Sequence, residues 1–184
     1  MGGKRRLWWV LRQVEHVFAA LGVLFLVYHW CFELSVITSG SMAPTLQGES
    51  VEGGDWVLTE KVTYRFREPH RWEVVSFRRK DGVRIAKRVV GLQNEDVSLS
   101  YEEKWVMIDG KAVERPENLD FLEYYSYGNM SKGKVVTCDG GYYVLGDDSK
   151  DSYDSRFDGV LAPERITGRA WMVVWPPSRM GFVY

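Results

Sequence analysis

The sequence predicts a mainly β protein, with one apolar helix at the N-terminus and then a single domain of many short strands. Three observations carry that expectation. Val17 to Phe32 runs without an acid, a Lys or an Arg. Beyond Leu46, no segment keeps a helical period over three turns. Short apolar runs separated by turn residues fill that region instead. The 184 residues suffice for one domain plus an anchor. A net charge of −1 gives no reason to expect a nucleic-acid partner. Two cysteines, Cys31 and Cys138, are too few for a disulfide framework and are not expected to pair. Eight Trp and ten Tyr supply rings for a core or for a membrane interface.

The N-terminal segment comes first. Residues 1–6 carry the basic cluster Lys4, Arg5 and Arg6. Val17–Phe32 alone would span about 24 Å, short of the roughly 30 Å hydrocarbon core. A full span must therefore borrow Leu7–Leu11 and tolerate Arg12, Glu15 and His16 near one interface. Trp8, Trp9 and Trp30 fall where interfacial rings belong. Two other readings compete. A cleaved secretory signal would want small residues after its apolar core, where this chain has Tyr28-His29-Trp30-Cys31-Phe32. A buried soluble helix is the other, since the length is marginal. The reading adopted is an uncleaved single-pass anchor over residues 1–34, with its N-terminus cytoplasmic by the positive-inside rule. An extracytoplasmic domain then occupies residues 35–184. His16 and His29 are given no role.

The strands follow in order. Asp55–Thr59 and Trp72–Phe77 alternate as strands do. Lys80-Asp81-Gly82 marks a hairpin turn before Val83–Val90. Asp96–Ser100 and Trp105–Ile108 suggest a further hairpin. Val135–Thr137, Tyr142–Leu145 and Arg169–Trp175 complete the set, and residues 113–133 read as an irregular insertion.

Three stretches offer chemistry. Ile37-Thr38-Ser39-Gly40-Ser41-Met42-Ala43-Pro44-Thr45-Leu46 reads as a loop at the mouth of the domain, and Ser41 is a candidate exposed nucleophile. A plain Ser/Gly linker is the alternative. In Val83–Gly91, period-two alternation puts Lys87 on a face with Val83, Ile85 and Val89, and leaves Arg84, Ala86 and Arg88 on a solvated face. A lysine on an apolar face either snorkels at a sheet edge or is desolvated enough to act as a general base. Gly146-Asp147-Asp148-Ser149-Lys150-Asp151-Ser152-Tyr153-Asp154-Ser155-Arg156 is either an acidic loop that could bind calcium or a loop packing hydroxyls and an Asp–Arg pair beside a site. It lacks the EF-hand spacing, and no metal is expected.

Together these stretches resemble the boxes of bacterial type I signal peptidases. The matching segments are Ser39–Leu46, Gly54–Leu58, Ile85–Leu92 and Gly146–Arg156, in family order behind an anchor, and the resemblance covers residues 15–176. It implies a membrane-bound serine endopeptidase that removes signal peptides from exported preproteins, without a cofactor, from the plasma (inner) membrane. It implies Ser41 as nucleophile and Lys87 as general base. Ser39, with the Ser41 N–H, would form the oxyanion hole. Ser152 would hydrogen-bond and orient the lysine amine, and Asp154 and Arg156 would form a structural ion pair. The implied fold is an antiparallel, barrel-like β-domain against the membrane lipid, with a short accessory insertion near 93–137. The preprotein would bind as an added strand, and Ile37, Met42, Ile85 and Ala86 would line pockets for small side chains.

The chemistry agrees from below. A serine hydroxyl needs an adjacent base. His70, the only His beyond the anchor, sits in the charged loop Arg65–Arg71 and reads as a solvated residue, which disfavours a Ser-His-Asp mechanism. Several positions depart from the family pattern. Asp148 stands where Asn is usual, and a carboxylate there would raise the lysine pKa. Trp72-Glu73 replaces Gly-Asp, and Gln93-Asn94-Glu95 replaces Pro-Gly-Asp. A self-cleaving Ser–Lys repressor would need a DNA-binding domain and no anchor. An inactive anchored binding domain would not need Ser41, Lys87 and Ser152 together.

Overall fold

The structure is a computed structural model that describes residues 2–48, 53–79 and 81–184. Helix α1 runs from Gly2 to Cys31 without a break. The Leu7–Leu11 segment and Val17–Phe32 thus join into one rod. The 27 residues Arg5–Cys31 form a candidate membrane span whose most apolar 18 residues have mean hydropathy 1.7 and are not buried against the domain. At 1.5 Å per residue it is about 40 Å long, enough to cross a bilayer with tilt. The expectation of a helix buried in the domain is not met: Leu7, Trp8, Phe18, Leu24, Phe25 and Trp30 are all exposed. Lys61 closes the helix C-terminus, where its N–H reaches Cys31 O (2.8 Å) and its Nζ reaches His29 O (2.7 Å).

The chain turns from helix to strand at Cys31–Phe32, ahead of the expected division at 34/35. Among the described residues eleven strands follow: β1 (Phe32–Val36), β2 (Trp56–Glu60), β3 (Val74–Arg78), β4 (Arg84–Gly91), β5 (Asp96–Ser100), β6 (Trp105–Ile108), β7 (Lys111–Ala112), β8 (Val136–Thr137), β9 (Tyr143–Leu145), β10 (Ile166–Trp175) and β11 (Gly181–Phe182). One four-residue helix, α2 (Ser155–Asp158), closes the acidic loop. The hairpin turn before β4 is present at Asp81 and Gly82, where Gly82 takes φ +84°; Lys80 lies outside the described residues.

All strand pairings are antiparallel. The larger sheet has the order β1-β2-β10-β3-β4-β9 with β11 on β10, and the smaller has β7-β6-β5-β8. The expected antiparallel β-domain is therefore present, but the barrel-like closure is not. Among the described residues, no pairing joins β9 back to β1. The reason lies in register. β9 covers only the second half of β4, pairing at Arg88, Val89 and Gly91. Arg84 to Lys87 pair on one side only, with β3. Among the described residues the outer edge of β1 is likewise unpaired. An open seam remains where a barrel would close.

Three apolar clusters hold the domain. One lies under the serine loop, with Met42, Leu46, Val57, Val74, Ala170 and Val173. A second, with Val75, Phe77, Val89, Tyr142 and Val144, backs β3 and β4. The third joins the small sheet to the insertion through Trp105, Leu122, Tyr124 and Met130, and includes Tyr143 and Leu145 of β9. Trp105 is stacked between Trp72 (5.1 Å) and Tyr124 (5.5 Å). The region read as irregular is thus packed onto the strand that precedes the acidic loop.

Candidate active site

Ser41 sits in a single 3-10 turn, Gly40–Met42, closed by Ala43 N–H donating to Gly40 O (2.7 Å). Met42 turns inward and anchors the turn in the core, while Ser41 stays half-buried at the surface. The acidic loop reaches the same point. Asp148 N–H donates to Ser41 O (3.2 Å). Gly146 allows this approach, since a Cβ there would lie 2.4 Å from Ser41 O and 2.2 Å from Ser152 Oγ.

Lys87 lies midway along β4, opposite Val75, and is 2% exposed. Its Nζ donates to Ser41 Oγ at 2.5 Å. The Ser39 and Ser41 hydroxyl oxygens are 3.3 Å apart. Burial drives the lysine pKa down from 10.5 to about 8. Asp154, Asp147 and Asp151 oppose that shift, and Arg156 assists it. Asp148 faces elsewhere: its Oδ1 accepts the Lys150 and Asp151 amides of its own loop.

Two buried ion pairs flank the lysine. Asp154 takes Arg156 bidentately, Nε to Oδ1 at 2.8 Å and Nη2 to Oδ2 at 2.7 Å. Ser152 gives its hydroxyl to Asp154 Oδ2 (2.7 Å), and among the described residues no hydrogen bond joins it to Lys87, where the resemblance implied one. The second pair was not foreseen. Arg88 was expected on a solvated face, yet its side chain is 0% exposed. It grips Asp147 with Nε to Oδ1 at 2.8 Å and Nη2 to Oδ2 at 2.6 Å. Thr45 donates to the same carboxylate (2.5 Å), which links the serine loop, β4 and the acidic loop. The alternation argument failed because β4 is covered on both faces from Lys87 onward. The apolar run Val89-Val90 beside Arg88 was the available signal. With Asp147 and Asp154 committed to arginines, the loop is not arranged as a calcium site. His70 is exposed, as expected.

The seam between β1 and β4 forms a groove enclosing about 70 Å³. Ile37, Ile85 and Ala86 line it, over a floor that includes Val57, Thr59 and Ser76. Met42, expected in the same wall, is 2% exposed and belongs to the core beneath. An ion pair between Glu33 and Arg84 spans the end of the groove nearest α1.

The arrangement brings a hydroxyl, a desolvated amine and an open strand edge together, which is equipment for acyl transfer. Comparison with known proteins points the same way. Residues 10–175 match the family described as "Signal peptidase, peptidase S26". A probable signal peptidase I-2 of Synechocystis sp. is 32% identical over 180 residues, covering 92% of this chain and 73% of the relative. Signal peptidase I V of Bacillus subtilis is 30% identical over 181 residues, covering 90% and 96%. A crystal structure of a signal peptidase I from Enterococcus faecalis aligns with 56% of this chain and 97% of its own, at 24% identity and TM-score 0.43. On the strength of the family match and these relatives, the chain belongs to the signal peptidase family, peptidase S26, and is a serine-type peptidase.

Proposed function

We propose that this protein is a membrane-anchored endopeptidase that removes N-terminal signal peptides from exported preproteins with a Ser41–Lys87 dyad. The observation that carries the reading is the 2.5 Å contact from Lys87 Nζ to Ser41 Oγ at a lysine that is 2% exposed. With a pKa near 8, about one lysine in ten is neutral at pH 7. At the ordinary value of 10.5 the fraction would be roughly 300-fold smaller.

Neutral Lys87 takes the Ser41 proton as Oγ attacks the scissile carbonyl carbon. The Ser41 N–H and the Ser39 hydroxyl hold the oxyanion. The Lys87 ammonium then protonates the departing amine, leaving the signal peptide as an ester on Ser41. Lys87 next takes a proton from water as that water attacks the ester, and returns it to Ser41. The chemistry asks for no cofactor.

The preprotein would lie extended in the seam, adding a strand to the free edges of β1 and of Arg84–Lys87. A shallow groove of about 70 Å³ walled by Ile37, Ile85 and Ala86 suits small side chains before the cleaved bond. Met42 supports it from below. Helix α1 exposes apolar side chains on every side and needs a non-aqueous surround, which supports the single-pass anchor. Lys4, Arg5 and Arg6 would keep its start in the cytoplasm and leave the β-domain outside the plasma membrane.

The test is cleavage of a preprotein bearing an Ala-x-Ala site, in detergent, by the wild type, Ser41→Ala and Lys87→Ala. The reading expects cleavage after the second Ala and a loss of at least ~10³-fold in each variant. Cleavage that survives Lys87→Ala would overturn the dyad, and a wild type that binds but never cuts would overturn the enzyme.

A further inference from the structure

The insertion contributes more than packing. Leu122, Tyr124 and Met130 are buried with Tyr143 and Leu145 of β9, so the segment has a rigid base. From that base it grips the loop that closes over Lys87. Tyr125 N–H donates to Ser149 Oγ (2.9 Å), and Tyr125 O accepts from Arg156 Nη1 (3.0 Å). Arg156 Nη1 also reaches Ser149 Oγ (2.7 Å) and Ser149 O (2.8 Å). Asn129 Nδ2 donates to Ser155 O (2.9 Å), while its Oδ1 accepts from the Tyr143 hydroxyl (2.9 Å). Gly128 makes the closest approach. It takes φ +56°, and a Cβ there would stand 2.2 Å from Arg156 O.

We infer that Tyr125–Met130 is a clamp on the catalytic loop, and that Gly128, Asn129 and Ser149 are positioning residues for Lys87. The inference rests on the Ser41–Lys87 reading. Its route is short. The clamp fixes Arg156, Arg156 fixes Asp154, and Asp154, which also holds the Ser152 hydroxyl and Gly146 N–H (2.9 Å), is one of the charges that act on Lys87. The groups facing Lys87 are Ser41 from the serine turn, and Asp147, Asp151, Asp154 and Arg156 from the clamped loop. Burial is the largest influence on the lysine. Displacing the loop admits water, and the amine then regains protons at a given pH.

Two glycines make the test. Gly128→Ala meets both a left-handed φ and the Arg156 carbonyl. Gly133→Ala, in the same insertion, meets φ +81° but has nothing within 4 Å of its Cβ. The pair carries similar backbone strain, and only one member presses on the loop. The measurement is the pH profile of kcat/KM on the Ala-x-Ala substrate, in the full-length protein. For Gly128→Ala, the acid limb moves alkaline by about 0.5 pH unit or more, and kcat at pH 7 falls several-fold, ~3-fold from the titration alone. Gly133→Ala keeps the wild-type limb. Ser149→Ala, which deletes one hydroxyl, covers the case where Gly128→Ala does not fold, and shifts the limb in the same direction.

An unshifted limb in both folded Gly128→Ala and Ser149→Ala, with wild-type cleavage intact, overturns the clamp alone. So does a Gly133→Ala shift as large as that of Gly128→Ala. A wild type with no Ser41-dependent cleavage instead overturns the dyad, and the clamp's role falls with it.

Discussion

Lys87 and Arg88 are neighbours on β4, and both are cations out of water, with exposures of 2% and 0%. They face opposite sides of the strand, and their surroundings treat them oppositely. Arg88 has a partner for every N–H. Asp147 takes Nε and Nη2, Thr45 takes Nη2 (3.2 Å), and the main-chain oxygens of Trp72 and Tyr184 take Nη1 (2.7 and 2.5 Å). Burial pulls its pKa down, but the hydrogen bonds and charge of Asp147 more than reverse this, and it stays ionised. Lys87 has a hydroxyl at 2.5 Å, while the nearest carboxylates spend their oxygens on arginines. The difference teaches how one strand can carry a structural cation and a base side by side. Full pairing preserves the charge, and desolvation without a dedicated partner loosens the hold on the proton.

The largest expected effect breaks the paired side. Arg88→Met leaves Asp147 buried without its counter-charge, and should cost about 3–5 kcal/mol of unfolding free energy. Denaturant melts of the detergent-solubilised protein measure this. A loss under about 1 kcal/mol would mean that the pair is solvated in solution.

The second effect runs the other way. Lys87→Met removes a cation that the fold destabilises. A folded pKa near 8 against 10.5 unfolded amounts to about 3 kcal/mol at pH 7, less about 1 for the lost hydrogen bond. The variant should therefore be inactive yet about 2 kcal/mol more stable. The sign with pH is definite. Between pH 8 and 10.5 the unfolded chain binds more protons than the native one, so wild-type stability rises there. The advantage of Lys87→Met is constant below pH 8 and fades toward pH 10.5. A variant less stable than wild type at pH 7 would contradict the comparison.

The smallest effect sharpens it. Asp148 carries a charge close in sequence to the site, but its carboxylate turns to Lys150 and Asp151 N–H. Asp148→Asn should leave the acid limb of the activity profile within about 0.2 pH unit. A larger shift would place Asp148 among the groups that set the lysine.

Much of this was legible in the sequence. Ser41, Lys87 and the Asp154–Arg156 pair lie in short stretches whose residue types and order carry the family resemblance, and α1 announces itself by composition. Other parts were hidden for physical reasons. Strand β1 is only five residues and begins at Phe32, the last residue of the apolar run, so the pattern does not separate it from α1. Helix α2 has four residues, too few to show a period. Arg88 was misread because alternation distinguishes two faces only when one of them meets water. Met42 was expected among the pocket-lining residues, but the 3-10 turn that leaves Ser41 at the surface sends its neighbour into the core. The clamp between residues 125–129 and 149–156 depends on tertiary approach, which no local pattern encodes.

The central claim is that Lys87 loses its proton at a pH where ordinary lysines keep theirs. The direct measurement is a ¹⁵Nζ or ¹³Cε NMR titration of lysine-labelled protein in detergent, with the Lys87 signal assigned by its absence in Lys87→Ala. The account predicts a midpoint near pH 8 for Lys87. A Lys87 midpoint near 10.5 would show a charged, solvated amine and would contradict the dyad.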